Sequence, residues 1–309
     1  MASEPLLAVY RMTVVSRGHS AWSSVLHDYW VLTKPEINFL IGLATAAAFC
    51  AGCSQPLSHF PWTLLLHTLL GTILVASGAA TLNQLIERQF DAQMRRTARR
   101  PVAAGRIDPV RALVFGVVLS LAGSIYLAFA VRPAASLLAA LTLGSYLLLY
   151  TPLKRRTPLC TLAGAFPGAM PVLIGYVAAA GKLSSPACIL YAILFLWQFP
   201  HFMAIAWMYR DDYTRAGYRI LPQGEEKARF MVWQSVLPAL TLVCLTGISM
   251  LMRHANPLAS VGTLLLSLSF FYFAVRLALV RSNTAARGLL LFSVIYLPMV
   301  FVLQVLAGY

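Results

Sequence analysis

Three side chains at one spacing set the chemical question. Asn83, Glu87 and Asp91 recur every fourth residue in the stretch Asn-Gln-Leu-Ile-Glu-Arg-Gln-Phe-Asp. On a helix that spacing stacks all three on one face. Two carboxylates so placed repel each other by roughly a few tenths of a kcal/mol. Partly inside a bilayer, each costs about 2.5–3.5 kcal/mol. Positive charge has to offset that. Five arginines follow at 88–100 (Arg88, Arg95, Arg96, Arg99 and Arg100). A divalent cation is the other option, because Mg2+ takes one or two carboxylates together with substrate phosphate oxygens. A solvated helix end with acids paired to nearby arginines is the plain alternative, but it does not explain Asn83 in the same register.

A second acidic segment reads Tyr209-Arg210-Asp211-Asp212-Tyr213-Thr-Arg215-Ala-Gly-Tyr-Arg219. Two adjacent acids between arginines also suit a cation, and an ordinary polar loop is the alternative. Taken together, the two segments could face each other and hold a Mg2+–diphosphate, with Arg and Lys on the remaining phosphate oxygens. A third basic run, Tyr150-Thr-Pro-Leu-Lys154-Arg155-Arg156, is either a membrane anchor or a further phosphate contact. His201 follows Pro200 inside an apolar stretch. An ionisable residue there is a functional candidate by default, with a neutral histidine bonded to a neighbouring helix as the alternative. His67 is a weaker candidate of the same kind, and His254 is expected to be idle. Cys50 and Cys53 form Cys-Ala-Gly-Cys but have no soluble fold around them to support a redox pair.

These residues must be positioned by membrane helices. Of 309 residues, 59% are apolar and only 11% charged, where a soluble domain has about 25% charged. That excludes a soluble globular protein and a disordered one. The net charge of +14 points to a membrane surface rather than nucleic acid, because the basic residues sit in short loops between apolar stretches. Stretches free of Asp, Glu, Lys and Arg place nine spans near 37–53, 64–85, 110–131, 134–151, 159–180, 186–206, 232–252, 257–279 and 288–307. The first two are divided by Cys-Ser-Gln-Pro at 53–56 and Pro61. An N-terminus on the cytoplasmic side puts 21 of the 24 Lys and Arg inside, leaving Arg132, Lys182 and Arg253 outside. This is the positive-inside pattern for an N-in, C-out chain. Residues 1–36 read as a cytoplasmic tail with an interfacial segment, and 37–309 as one all-α, nine-helix membrane domain.

The motifs resemble the UbiA superfamily of membrane prenyltransferases, and within it the heme-modifying branch. The matching pieces are Leu-Thr-Lys34-Pro35; Asn83 to Pro101 with Gly105; Tyr150-Thr-x2-Lys154-Arg155-x-Thr157; Gly164-Ala-x2-Gly168-Ala-x-Pro171; Trp197-Gln-x-Pro200-His201-Phe202; and Tyr209 to Gly217. They run through nearly the whole chain from about residue 30. Quinone-type relatives carry Asp-x3-Asp in the second segment, where this chain has Tyr209 and Tyr213 with Asp211 and Asp212 between. Cys160 stands where the branch leads one to expect Asn.

The resemblance implies a nine-helix bundle with a central cavity, and transfer of the farnesyl group of farnesyl diphosphate to a vinyl group of heme b. Mg2+, which the residues do not distinguish from Mn2+, would be held by Asn83, Glu87, Asp91, Asp211 and Asp212. Substrate would be bound by Arg88, Arg96, Arg100, Lys154, Arg155, Arg210, His201, Trp197 and Tyr150. The faces of Tyr146, Tyr150, Trp197, Phe199 and Phe202 would stabilise an allylic cation. Heme is then a substrate rather than a cofactor. The implied setting is the bacterial plasma membrane, or the mitochondrial inner membrane in a eukaryote, with the site toward the cytoplasm and membrane lipid around it. Heme A synthase or terminal oxidase assembly proteins would be partners. The competing readings are prenyl transfer to an aromatic quinone precursor, a polytopic transporter and a non-catalytic oxidase assembly factor. A transporter would carry its acids near the bilayer midplane; here all ten lie in the inner segments.

Overall fold

A computed structural model describes residues 21–222, 226–252 and 256–306. Arg253 and His254 lie outside the described residues, as does most of the N-terminal tail. The helices are α1 (Ala21–Leu32), α2 (Pro35–Gly52), α3 (Trp62–Asp91), α4 (Pro109–Ala130), α5 (Pro133–Leu153), α6 (Cys160–Ala180), α7 (Ser185–Met208), α8 (Arg210–Arg215), α9 (Glu226–Ile248), α10 (Pro257–Val280) and α11 (Asn283–Leu306). Among the described residues, nine of them, all but α1 and α8, are long and apolar enough to cross a bilayer. They are the nine spans expected from the charge-free stretches.

Prolines mark many of the starts, where a missing N–H costs nothing. Pro35, Pro109, Pro133 and Pro257 open their helices, and Asp108 caps α4 by accepting from the backbone N–H groups of Val110 and Arg111. Each span packs on the next in sequence, and α11 returns to α2, so the ring closes. Helices α6 and α7 make further contacts across it, to α2 and α11. Close approach needs small residues, because lipid offers no hydrophobic drive between helices. A Cβ at Gly78 of α3 would stand 2.7 Å from the Gly116 carbonyl of α4, and one at Gly123 2.8 Å from the Gly71 carbonyl. The outward faces carry side chains such as Phe129, Leu148 and Leu258, at 89%, 81% and 80% exposure. Only lipid makes that exposure tolerable.

The polar machinery gathers at the end of the bundle that carries the connections after α3, α5 and α7. Short α1 is fastened there. Asp28 takes a bidentate pair from Arg106, and Gln84 of α3 donates to the Leu32 carbonyl.

Candidate active site

Helix α3 runs straight through the point where hydropathy falls. It spans 30 residues and ends at Asp91, with Asn83, Glu87 and Asp91 all buried on one face. The helix survives its acids because each has a partner. Lys154, just beyond α5, donates to Glu87 Oε1 at 2.7 Å. Nη1 of Arg100 donates to both oxygens of Asp91 at 2.9 and 2.7 Å. Lys34 Nζ donates to Asn83 Oδ1 at 3.3 Å, and Asn83 Nδ2 donates to Thr151 Oγ1 at 3.2 Å. The loop after α3 is folded back on the helix end by Thr97, which donates to the Asp91 carbonyl.

Lys154 is aimed by an unusual turn. Residues Ser145–Tyr150 form a π-helical stretch in α5, closed by a bond from the Thr151 N–H to the Tyr146 carbonyl. Single π turns in α-helices cluster at functional sites. Here the turn sets Tyr146 and Tyr150 side by side, 5.4 Å between ring centres, with Lys154 Nζ 4.5 Å over the Tyr150 ring. A Cβ at Gly164 would be 2.6 Å from that ring, so Gly164 makes room for Tyr150. Likewise Gly168 makes room for the Gln198 side chain. The Gly164-x3-Gly168 pattern therefore admits side chains from α5 and α7.

Burial opposes charge on Lys154, yet Tyr150 and Glu87 hold its ammonium well above the ordinary lysine range. Lys34 goes the other way. Burial, then repulsion from Arg100 and Lys154, pushes it down to about 7. Three cations thus surround two carboxylates, and the balance suits an incoming anion.

The second acidic segment lies against the first. Phe90 and Met94 pack on Tyr213, Ala216 and Tyr218, and the Arg219 N–H donates to the Lys154 carbonyl. Arg96 reaches across, 5.2 Å over the Tyr209 ring and 3.5 Å from the Tyr213 hydroxyl. Asp212 pairs with Arg215 at 3.0 Å. Asp211 is open, its side chain 84% exposed and its nearest cation, Arg210, 3.9 Å away. Two cavities of about 310 and 560 Å3 share Asp211 in their walls. The larger also takes Arg95, Arg96, Asp212 and Arg215. Tyr218 is 7% exposed, and among the described residues its hydroxyl meets no partner at hydrogen-bond geometry. Burial, reinforced by Glu87, raises its pKa.

The expected residues are not all drawn together. Arg88 turns back to the Leu85 carbonyl, away from the Glu87 face. Arg155 lies over Phe90 at 4.2 Å, at the edge of the two loops. Arg210 is spread between the Trp207 carbonyl and Asn283 of α11. Among the described residues, no three of His, Cys, Asp and Glu converge as a metal-ion group. The donor chemistry of Asn83, Glu87 and Asp91 nevertheless fits a hard, oxygen-seeking cation, and Lys154 and Arg100 occupy oxygens such an ion would use. Deeper in the bundle, Trp197 and His201 of α7 stack at 4.5 Å, and His201 Nδ1 is 2.7 Å from Ser293 Oγ on α11. His67 Nδ1 is 2.6 Å from the Tyr126 hydroxyl on α4. Lys34, Thr151, Tyr218 and Ser293 were not singled out from the sequence as site residues. Lys34 and Thr151 carry a signal as members of the matched motifs Leu-Thr-Lys34-Pro35 and Tyr150-Thr-x2-Lys154.

Among the described residues, nine helices long and apolar enough to cross a bilayer carry a buried acid–amide column whose lysine and arginine partners are chemically suited to an anion. The chain belongs to the UbiA prenyltransferase family, whose pattern it matches over residues 40–295. It is 46% identical, over 91% of its length and 98% of the relative's, to a protoheme IX farnesyltransferase of Solibacter usitatus (strain Ellin6076). The fold is similar to that of a digeranylgeranylglyceryl phosphate synthase, with a TM-score of 0.73, 16% identity and coverage of 92% of this chain and 98% of the other. It is also similar to a UbiA homolog from Archaeoglobus fulgidus bound to GPP and Mg2+, with a TM-score of 0.65, 16% identity and coverage of 90% and 99%.

Proposed function

We propose that the protein transfers the farnesyl group of farnesyl diphosphate to a vinyl group of heme b, with addition of water, giving heme O and diphosphate. The likeness to a protoheme IX farnesyltransferase over nearly the full length of both chains carries this reading. Residues 37–309 are its catalytic domain, with the N-terminus inside, the C-terminus outside and the site toward the cytoplasm.

Asn83, Glu87 and Asp91, together with Asp211 and Asp212 from the wall of the larger cavity, would hold Mg2+. A divalent ion held there would supply Lewis-acid neutralisation of the charge that builds on the leaving diphosphate. Arg100 and Lys154 then exchange a carboxylate for a phosphate oxygen, and Arg96, Arg155 and Arg210 line the approach. Cleavage of the C1–O bond puts negative charge on the leaving group, and these cations stabilise it more in the transition state than in the ground state. The allylic cation is met by aromatic faces, Tyr146 and Tyr150 among them. The vinyl π electrons attack C1, and water captures the resulting heme-side cation and gives up a proton. No electron is gained or lost. His201 and Trp197 contact the heme.

Expression in a host lacking its own heme O synthase tests the reading. Extracted hemes should include a more hydrophobic species with the mass of a hydroxyethylfarnesyl adduct. Heme b alone, with the protein folded in the membrane, contradicts it.

A further inference from the structure

The surroundings of His201 determine which of its ring nitrogens is free. Nδ1 stands 2.7 Å from Ser293 Oγ. The Ser293 hydroxyl also donates to the Leu290 carbonyl, one turn back in α11, at 2.6 Å. A serine hydroxyl has one proton and a carbonyl only accepts. With that proton on Leu290, Ser293 Oγ is an acceptor toward the imidazole, and Nδ1 must carry the ring proton. A neutral imidazole has one such proton, so Nε2 keeps its lone pair. A ring flip would set Cδ2 against the serine oxygen and lose the bond. The stack on Trp197, 23° from parallel, holds the plane of the ring, and Trp197 Nε1 donates to the Ser293 carbonyl at 2.9 Å. One residue of α11 therefore anchors both rings of α7.

Nε2 itself has no hydrogen-bond partner among the described residues. Nor is it sealed in: among the described residues, the unpaired side-chain polar atoms closed off from solvent are Thr72 Oγ1, Gln84 Oε1 and the Tyr218 hydroxyl. An accessible imidazole lone pair, with the opposite nitrogen bonded to a fixed oxygen, is how proteins present histidine to a metal.

We propose that Ser293 is a positioning residue, fixing His201 in the tautomer whose Nε2 binds the iron of the acceptor heme. The proposal rests on the heme reading above and extends it to a residue that does not touch the reacting atoms. Bonding through Nδ1 also raises the basicity of Nε2 and sets the plane of the ring.

The test titrates purified protein with ferrous heme b and reads affinity, the Soret band and the iron–histidine stretch. His201→Ala should lose the stretch. Ser293→Ala keeps the backbone carbonyl that Trp197 uses and removes the imidazole's contact together with the hydroxyl's bond to the Leu290 carbonyl. It should retain the stretch at lower frequency and bind heme about 10-fold or more weakly, and Ser293→Thr, which keeps a hydroxyl, should restore both. Wild-type affinity and stretch in Ser293→Ala, beside their loss in His201→Ala, overturns the role of Ser293 and leaves the heme reading standing. An unchanged stretch in His201→Ala removes the ligand and the proposal with it. Should Ser293→Ala not accumulate, 15N spectra of the histidine-labelled, heme-free wild type decide, with His201→Ala identifying the signal. An unprotonated Nε2 is expected; a protonated one overturns the proposal.

Discussion

The two acidic segments of this site are built to opposite plans. Glu87 and Asp91 are 5% and 1% exposed, and each already grips a cation. Asp211 stands open on six-residue α8, whereas the half-buried Asp212 pairs with Arg215 in its own turn. The first segment belongs to a 30-residue helix held by its neighbours, and the second to a short connection after α7. Removing one partner of a buried pair costs about 3–5 kcal/mol, whereas an exposed pair is worth about 0–1 kcal/mol. The sealed half is therefore a prebuilt seat whose carboxylates are already paired. The open half can turn Asp211 to a ligand at little cost.

Changes on the sealed side should break catalysis outright. Asp91→Ala is expected to lower turnover by at least about 100-fold while the protein stays folded in the membrane. Turnover per folded molecule, scored by monodisperse elution in detergent, checks this; full activity would remove the first segment from the site. Lys154→Met should cost about 10- to 100-fold in kcat/KM for the prenyl diphosphate. Combined with Glu87→Gln, its effect should be far from additive, because the two share one contact.

On the open side the losses should be smaller and of a different kind. Asp211→Asn should lower kcat/KM by about 5- to 10-fold, raise the divalent-ion concentration needed for half activity and leave the melting temperature unchanged. A stability loss as large as that of Asp91→Ala would erase the contrast. The smallest effect concerns Lys34. The unfolded chain keeps this proton to the ordinary lysine value, whereas the folded one releases it near 7. Between those values the unfolded state binds more protons, so stability rises with pH. Melting curves from about pH 7 to about pH 9 should show that rise in the wild type and a shallower one in Lys34→Met.

Much of this was legible in the sequence, for identifiable reasons. Charge-free stretches of span length locate the membrane helices because the bilayer core excludes charge. The i, i+4 register of Asn83, Glu87 and Asp91 predicts a shared face, and they share one. Their partners were out of reach, since helical spacing says nothing about contacts 67 residues away, as between Glu87 and Lys154. Ending the second span at 85 followed from hydropathy. The helix runs on to Asp91 because the neighbouring cations remove the penalty. The resemblance puts Arg88 at the site, but one residue on from Glu87 is a turn of about 100° on a helix, and its side chain bonds the Leu85 carbonyl. The π turn that aims Lys154 and the serine behind His201 left no mark in composition or period.

The most direct measurement is acceptor-dependent diphosphate release by the purified protein supplied with farnesyl diphosphate. Release should require both heme b and a divalent cation, and should be matched by a farnesylated, hydrated heme. Release with a hydroxylated aromatic acceptor, and none with heme b, would contradict the account and assign the site to quinone-type prenyl transfer.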